Sequence, residues 1–336
     1  MPYNPWRQGP YQGSGKKRRY FEGWYFKQVS ADFSEAWAFI PGISRGESAG
    51  EGYSFVQAIE GGTGRSWWFE YPLGAFQASS RSLDIRVGMS RFSAAGISLD
   101  LKGEGSAFRG ELEYGEFKVP PLHALSPGVM GPFSFLPFMQ CRHGLVSIDH
   151  RVEGGFDIDG RRVDISGGRG SASGRGYIEK DWGSSMPSSW IWMQSNNFPE
   201  RGDSFMLSIA DIPWMGSSFT GFLCVGALGR RASLGGRFLR EATYTGARIE
   251  DFSMDDATLS LAIVRGSSRI EVRAGRSRGG LLRAPVQGIL SRRIVESGDA
   301  SISLRWTRGD ELLFEGEARA AGLELVGDPA ALFAGA

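Results

Sequence analysis

Short apolar runs alternating with polar positions recur along the chain from Tyr20 onward. FEGWYFKQV (21–29), AWAFI (36–40), GYSFVQAIE (52–60) and SWWFEYPL (66–73) are rich in aromatic and β-branched residues. SLDIRVGMSRFSAAGISLDLKG (82–103), GELEYGEFKVP (110–120) and GLVSIDHRVEGGFDIDGRRVDISG (144–167) add a clear period of two, broken by Gly-rich turns. The pattern continues through YIEKDWG (177–183), SWIWMQSNN (189–197), DSFMLSIADI (203–212) and SFTGFLCVGAL (218–228). ATYTGARIED (242–251), ATLSLAIVR (257–265), RIEVRAGR (269–276), ASISLRWT (300–307) and ELLFEGEARAAGLELVG (311–327) complete it. Such runs read as antiparallel strands joined by tight turns. Sustained 3.6-residue periodicity is missing, so helix is confined to short pieces such as the tail after Pro329. The expected fold class is all-β.

Two stretches interrupt the rhythm. Residues 120–140 carry prolines at 120, 121, 127, 132 and 137. Proline cannot serve a central strand, so this stretch is an apolar loop packed over another part of the fold. GGRGSASGRG (167–176) reads as a turn or linker and divides the chain. The expected organisation is an N-terminal arm over 1–17, a first β unit over 18–168 and a second over 169–330. A Trp-bearing strand opens each half, with Trp24 in one and Trp190 and Trp192 in the other, and a Ser-Phe strand follows each (Ser54-Phe55, Ser204-Phe205).

Composition sharpens this picture. With 336 residues, two β units can each bury a core. Forty-nine glycines, ten Trp and 22 Phe suit aromatic strands with tight turns. A net charge of +1 supplies no overall field for nucleic acid. KKRR at 16–19 reads either as a peripheral contact with lipid headgroups or as a solvated lead-in to the first strand. Cys141 and Cys224 form no CxxC, so no disulfide framework is expected. With no apolar leader and no run long enough to span a bilayer, the expected location is cytoplasmic.

Alternation sorts the chemistry, because residues i and i+2 share a face about 6–7 Å apart. Glu22, Trp24, Phe26 and Gln28 share one face, and Tyr25 and Lys27 take the other. Tyr177, Glu179 and Asp181 share a face, with Ile178, Lys180 and Trp182 opposite. Trp190, Trp192, Gln194 and Asn196 form a third row. One reading is a Trp-walled cavity in which carboxylates on one dry face crowd each other and one holds a proton. The other is core aromatics with carboxylates paired to Arg or Lys. Only three histidines occur, at 123, 143 and 150, so no His-rich metal site is expected. His143 and Asp149 lie about 20 Å apart along one strand and form no dyad by themselves. His143 and His150 point to opposite faces. GISRG (42–46) matches G-x-S-x-G, but no helix follows it, as a nucleophile elbow requires.

RRYFEGWYFK (18–27), MGPFSFLPFMQCRHGLVSIDH (130–150), GRGYIEKDWGSSMPSSWIWMQSNNF (174–198), SFTGF (218–222), ATYTGARI (242–249), LRAPVQG (282–288) and AGLELVGD (321–328) together resemble the tocopherol cyclase family. The resemblance spans residues 18–328. It implies two tandem lipocalin-like antiparallel units, related to carotenoid hydratases, and a lipophilic small-molecule substrate. It also implies closure of a prenylated hydroquinone to a chromanol, by alkene protonation and phenol attack, with neither redox cofactor nor metal. Carried onto this chain, the proton donors are Glu179, Asp181 and then Glu22. Trp24, Tyr25, Tyr177, Trp182, Trp190 and Trp192 would line the substrate, with Gln194 and Asn196 orienting the phenol. The alternative from the same fold is a non-catalytic binding protein for an isoprenoid or similar molecule. The oligomeric state stays open.

Overall fold

The computed structural model describes residues 4–122, 126–166, 173–214, 216–229 and 237–333. The first twelve strands are β1 (Tyr20–Val29), β2 (Ala36–Arg45), β3 (Tyr53–Glu60), β4 (Ser66–Pro72), β5 (Phe76–Ala78), β6 (Asp84–Val87), β7 (Ser90–Ser93), β8 (Gly96–Gly103), β9 (Ser106–Tyr114), β10 (Cys141–Ile158), β11 (Arg161–Asp164) and β12 (Gly174–Gly183). They form one antiparallel sheet in the order β4-β3-β2-β1-β12-β10-β9-β8-β7-β6-β5, with β11 paired to β10. The remaining ten are β13 (Trp190–Ser195), β14 (Ser204–Trp214), β15 (Ser217–Leu228), β16 (Arg237–Ala242), β17 (Arg248–Met254), β18 (Thr258–Arg265), β19 (Ser268–Gly275), β20 (Gly279–Val286), β21 (Ile289–Arg308) and β22 (Glu311–Val326). Their order is β16-β15-β14-β13-β22-β21-β19-β18-β17, with β20 on β21. The described helices are short 3-10 turns, including Ala330–Phe333 after Pro329. The protein is therefore all-β, built of two lipocalin-like antiparallel units.

The halves share a topology. In each, the Trp-bearing first strand lies between the second strand and the last: β1 between β2 and β12, β13 between β14 and β22. Alternation along β1 sends Trp24 and Phe26 into the first core beside Trp37, Phe39 and Ile178. Trp37 meets Phe156 edge-on at 5.2 Å and stacks on Trp67 at 5.6 Å, geometries that favour aromatic pairs. The second core is aliphatic by comparison, with Ile191 and Met193 of β13 packed among Leu207, Ile209, Cys224 and Leu323.

The first unit comprises residues 1–186 together with 281–294, and the second 187–280 with 295–336. The boundary expected at 168/169 is therefore corrected to Met186/Pro187. The reason is register: β12 pairs β1 and β10 along its length, so YIEKDWG completes the first sheet and does not open the second. The 281–294 segment is a hairpin added to the first unit. The Gln57 amide exchanges two hydrogen bonds with the Arg283 backbone, at 2.7 and 3.0 Å, imitating a strand neighbour. The Arg283 guanidinium sits 4.1 Å from the Trp68 ring, and Leu290 packs with Phe55 and Trp68. Ser44 of GISRG is buried inside β2 and donates to Gly288 O at 2.6 Å, so that string is strand and not a nucleophile elbow.

The arm is more integrated than a solvated leader. Tyr11 N donates to Ser79 O (2.9 Å), Trp24 Nε1 to Gly9 O (2.8 Å) and Gln12 N to Glu22 (2.9 Å). Lys16–Arg19 are exposed, and both Arg18 and Arg19 pair with Glu47. Within 120–140, residues 123–125, including His123, lie outside the described ones. Val129, Met130 and Ser134 of this loop are buried, as its apolar content predicts.

Candidate functional site

β12 is the strand that organises the first unit's chemistry. Both its neighbours run antiparallel, and its register sets Tyr25 and Leu145 opposite Glu179, and Gly23 and His143 opposite Asp181. Alternation then divides the candidate residues between two faces. Tyr177, Glu179 and Asp181 lie on the face away from the aromatic core, joined by Tyr25 and the buried Lys27 of β1 and by His143 of β10. Glu22, Trp24, Lys180 and Trp182 lie on the core face.

On the outer face four polar side chains form a chain of contacts. Asp181 Oδ1 is 2.9 Å from His143 Nδ1. His143 Nε2 is 3.5 Å from Glu179 Oε2, and Tyr177 donates its hydroxyl to that same oxygen at 2.5 Å. Accessibility falls along this chain: the side chains are 25% exposed at Asp181, 12% at His143 and 6% at Glu179, and Tyr177 is fully buried. Burial, then the Glu179 charge, raises the Tyr177 phenol well above its usual range, so it stays protonated and donates. An imidazole between two carboxylates can pass a proton from one to the other by exchanging which nitrogen carries it.

The donor atoms of His143, Glu179 and Asp181 all lie within 4.8 Å of one another, near enough for an ion after side-chain rotation. As placed, the two carboxylates face opposite nitrogens of one ring. Cys141 lies beside this group, with Sγ 3.9 Å from Asp181 Oδ1. Burial pushes its thiol well up, away from the nucleophilic thiolate.

Glu22 is not part of this group. It sits on the core face, fully buried, with Oε1 2.8 Å from Lys180 Nζ. Gln12 N and the Tyr20 hydroxyl also donate to it. Trp24 and Trp182 flank the ammonium at 5.1 and 4.6 Å. Of the expected site residues, Glu22, Trp24 and Trp182 thus lie on the opposite face of the sheet from Glu179 and Asp181. Within the first unit, Tyr25 and Tyr177 are the expected lining residues that share the Glu179 face. Trp190, Trp192, Gln194 and Asn196 belong to the second unit, where all four are buried. The pairing of His143 with Asp181 is not visible in the sequence because the two lie on different strands. The signal available was the odd spacing of His143 from His150, which put the two on different faces. The structure keeps that difference through two β-bulges in β10 that cancel.

No family model matches the chain, and no curated protein matches it. Solved structures do share its fold. A protein provisionally assigned as AttH from Nitrosomonas europaea superposes with a TM-score of 0.50 at 11% identity, over 98% of this chain and 100% of its own. CghA solved with Sch210972 gives 0.55 at 9% identity, over 92% of this chain and 89% of its own. CghA in a further structure gives 0.55 at 10%. At these identities the likeness is one of fold. The class defined here is an all-β protein of two lipocalin-like units, with a carboxylate–imidazole cluster on the first. Among the described residues no helix is long and apolar enough to cross a membrane.

Proposed function

We propose that the protein is a cyclase-type enzyme that protonates an alkene of a lipophilic substrate, with a prenylated hydroquinone as the substrate class. The observation that carries this reading is the buried Glu179 carboxyl, which accepts from the Tyr177 hydroxyl at 2.5 Å and lies 3.5 Å from His143 Nε2, with Asp181 at the other ring nitrogen. Glu179 passes the proton to the less substituted alkene carbon, which leaves a tertiary cation. The Tyr25 and Tyr177 rings on the same face offer π density to that cation. The phenol oxygen then bonds to the cation, and its proton returns to the Glu179–His143 pair. One proton enters and one leaves, so the reaction consumes no co-reactant. A water-poor setting suits this chemistry, because water would capture the cation first.

The test is incubation of purified protein with a prenylated hydroquinone and detection of the chromanol. Glu179→Gln keeps the shape and removes the transferable proton, and is expected to lower turnover about 10²–10⁴-fold. Asp181→Asn, which acts through His143, is expected to lower it less and to shift the pH profile. Substrate binding without turnover in wild type would establish the non-catalytic alternative. Unchanged turnover in Glu179→Gln would remove the relay from the mechanism.

A further inference from the structure

One edge of the first sheet carries exposed aromatic rings beside unpaired cations. Cys141, Gly183, Phe21 and Ser44 pair in one row across β10, β12, β1 and β2. β10 and β1 begin at this row, and β12 and β2 end at it, so the chain crosses the same edge four times. Phe138 lies three residues before Cys141, and Arg18 three before Phe21. Their two strands are separated only by β12, about 10 Å in all.

Three rings face solvent here. Trp6 and Phe135 lie 5.6 Å apart between centroids and are 45% and 51% exposed, and Phe138 is 79% exposed. Phe138 also has a φ of 60°, a left-handed conformation that costs a bulky residue energy. Packing returns nothing for that cost, because the ring stands in water. The platform beneath is fixed. Arg142 donates to Leu136 O at 3.0 Å and to Met139 O at 3.4 Å, and Ser134 Oγ donates to Pro127 O at 3.1 Å. Met130, Ser134 and Met139 of the same loop are buried. The loop thus has an inward apolar side of its own and turns further aromatics outward.

Cations border these rings. Arg7 follows Trp6, and Lys16–Arg19 are exposed where β1 begins. Glu47 takes up Arg18 and Arg19, while Arg7, Lys16 and Lys17 have no ion pair among the described residues. Trp and Phe favour the boundary between headgroups and acyl chains, and clustered Lys and Arg favour anionic headgroups. A partner strand is a poorer fit, because Pro132 and Pro137 deprive the loop of the backbone donors that strand addition uses.

We propose that this edge of the first unit docks on a bilayer containing anionic lipid, with Trp6, Phe135 and Phe138 inserted at the interface and Arg7, Lys16 and Lys17 against the lipid phosphates. Asp181 lies two residues inside the edge, about 7 Å along β12. Docking therefore holds the acidic cluster near the phase in which a lipophilic substrate dissolves. The docking needs no turnover, so its failure and that of the proposed reaction are told apart.

The experiment is sedimentation of the full chain with vesicles of phosphatidylcholine, with and without phosphatidylglycerol. Wild type is expected to bind the anionic vesicles, to be released from them by salt, and to bind phosphatidylcholine alone at least about tenfold more weakly. Phe135→Ser and Phe138→Ser are each expected to weaken binding about tenfold, as is the double variant Lys16→Ala with Lys17→Ala. Thermal melts of these variants are expected to match wild type, since the positions are exposed. Met89→Ser removes an 80% exposed apolar side chain from the turn between β6 and β7 and is expected to change nothing. The proposal is overturned by a wild type that ignores anionic vesicles or binds both kinds equally. It is also overturned if both Phe variants bind as before, or if Met89→Ser loses as much as they do. Gel filtration showing a wild-type dimer that Phe138→Ser separates would make the edge a contact between copies and overturn it as well.

Discussion

Replacing Lys180 with methionine is expected to cost the first unit about 3–5 kcal/mol of stability, the range for breaking a buried ion pair from one side. The ammonium is fully buried and donates to Pro10 O at 2.7 Å and to Glu22 Oε1 at 2.8 Å. Burial lowers the Lys180 pKa, and the Glu22 charge opposes that shift and favours the ammonium. Methionine fills the space between the Trp24 and Trp182 rings but leaves a carboxylate with no cation. It also releases Pro10, one of four points at which residues 9–12 are tied to the sheet. The double variant Lys180→Met with Glu22→Gln removes the stranded charge. It keeps an oxygen to accept from Gln12 N or the Tyr20 hydroxyl. It is expected to be more stable than Lys180→Met alone. Urea midpoints and hydrogen exchange of β1 and β12 amides measure both. A double variant no better than the single one would mean that the loss came from packing and not from charge.

The second large effect is a pH dependence set by His150. This imidazole lies in the first core, with ring centroids 4.6 Å from Tyr114 and 4.7 Å from Phe117. Ser147 Oγ donates to Asp149 O, so it must accept at its other contact, 2.9 Å from His150 Nδ1. The proton of the neutral ring is thereby assigned to Nδ1, and Nε2 has no hydrogen-bond partner among the described residues. Gly176 makes room for it: a Cβ there would lie 2.1 Å from His150 Nε2. Burial pushes the pKa down from 6.5 to about 3. Between those values the unfolded chain binds the proton and the folded one does not. The contribution is therefore complete above pH 6.5 and is lost as the pH falls toward 3. Going from pH 7 to pH 4.5, wild type is expected to lose about 3 kcal/mol through this group. His150→Leu lacks that term, so the gap between wild type and variant should close by this amount over the same range. A gap that stays constant with pH would show that His150 is not titrating on unfolding.

Both effects rest on features that the sequence discloses unevenly. Strand alternation was readable. It put Trp24 beside Glu22, set Lys180 opposite in sense to Glu179 and separated His143 from His150, and all three relations hold in the structure. Pairing between distant strands was not readable. Lys180 meets Glu22 at a separation of 158 residues and His143 meets Asp181 at 38, and no local pattern encodes either. The missing information is sheet order, which depends on how the strands close around the core. The same gap explains the boundary. GGRGSASGRG has the composition of a linker, and residues 167–172 lie outside the described ones; composition does not tell whether the strand that follows closes the first unit or opens the second. Only the pairing of β12 with β1 separates the two cases.

The hairpin over 281–294 has a consequence for biosynthesis. Both its strands run on into the second unit, β20 at its start and β21 beyond Ile294. The first unit is therefore unfinished when Met186 leaves the ribosome, although its sheet can already pair. Leu290 and Arg283 reach Trp68 only after residues 187–280 of the second unit have been synthesised. Nascent domains ordinarily fold in turn from the N-terminus. Here the first must wait with the outer face of β3 and β4 uncovered, which makes that interval the point in the life of the chain where a chaperone has most to shield.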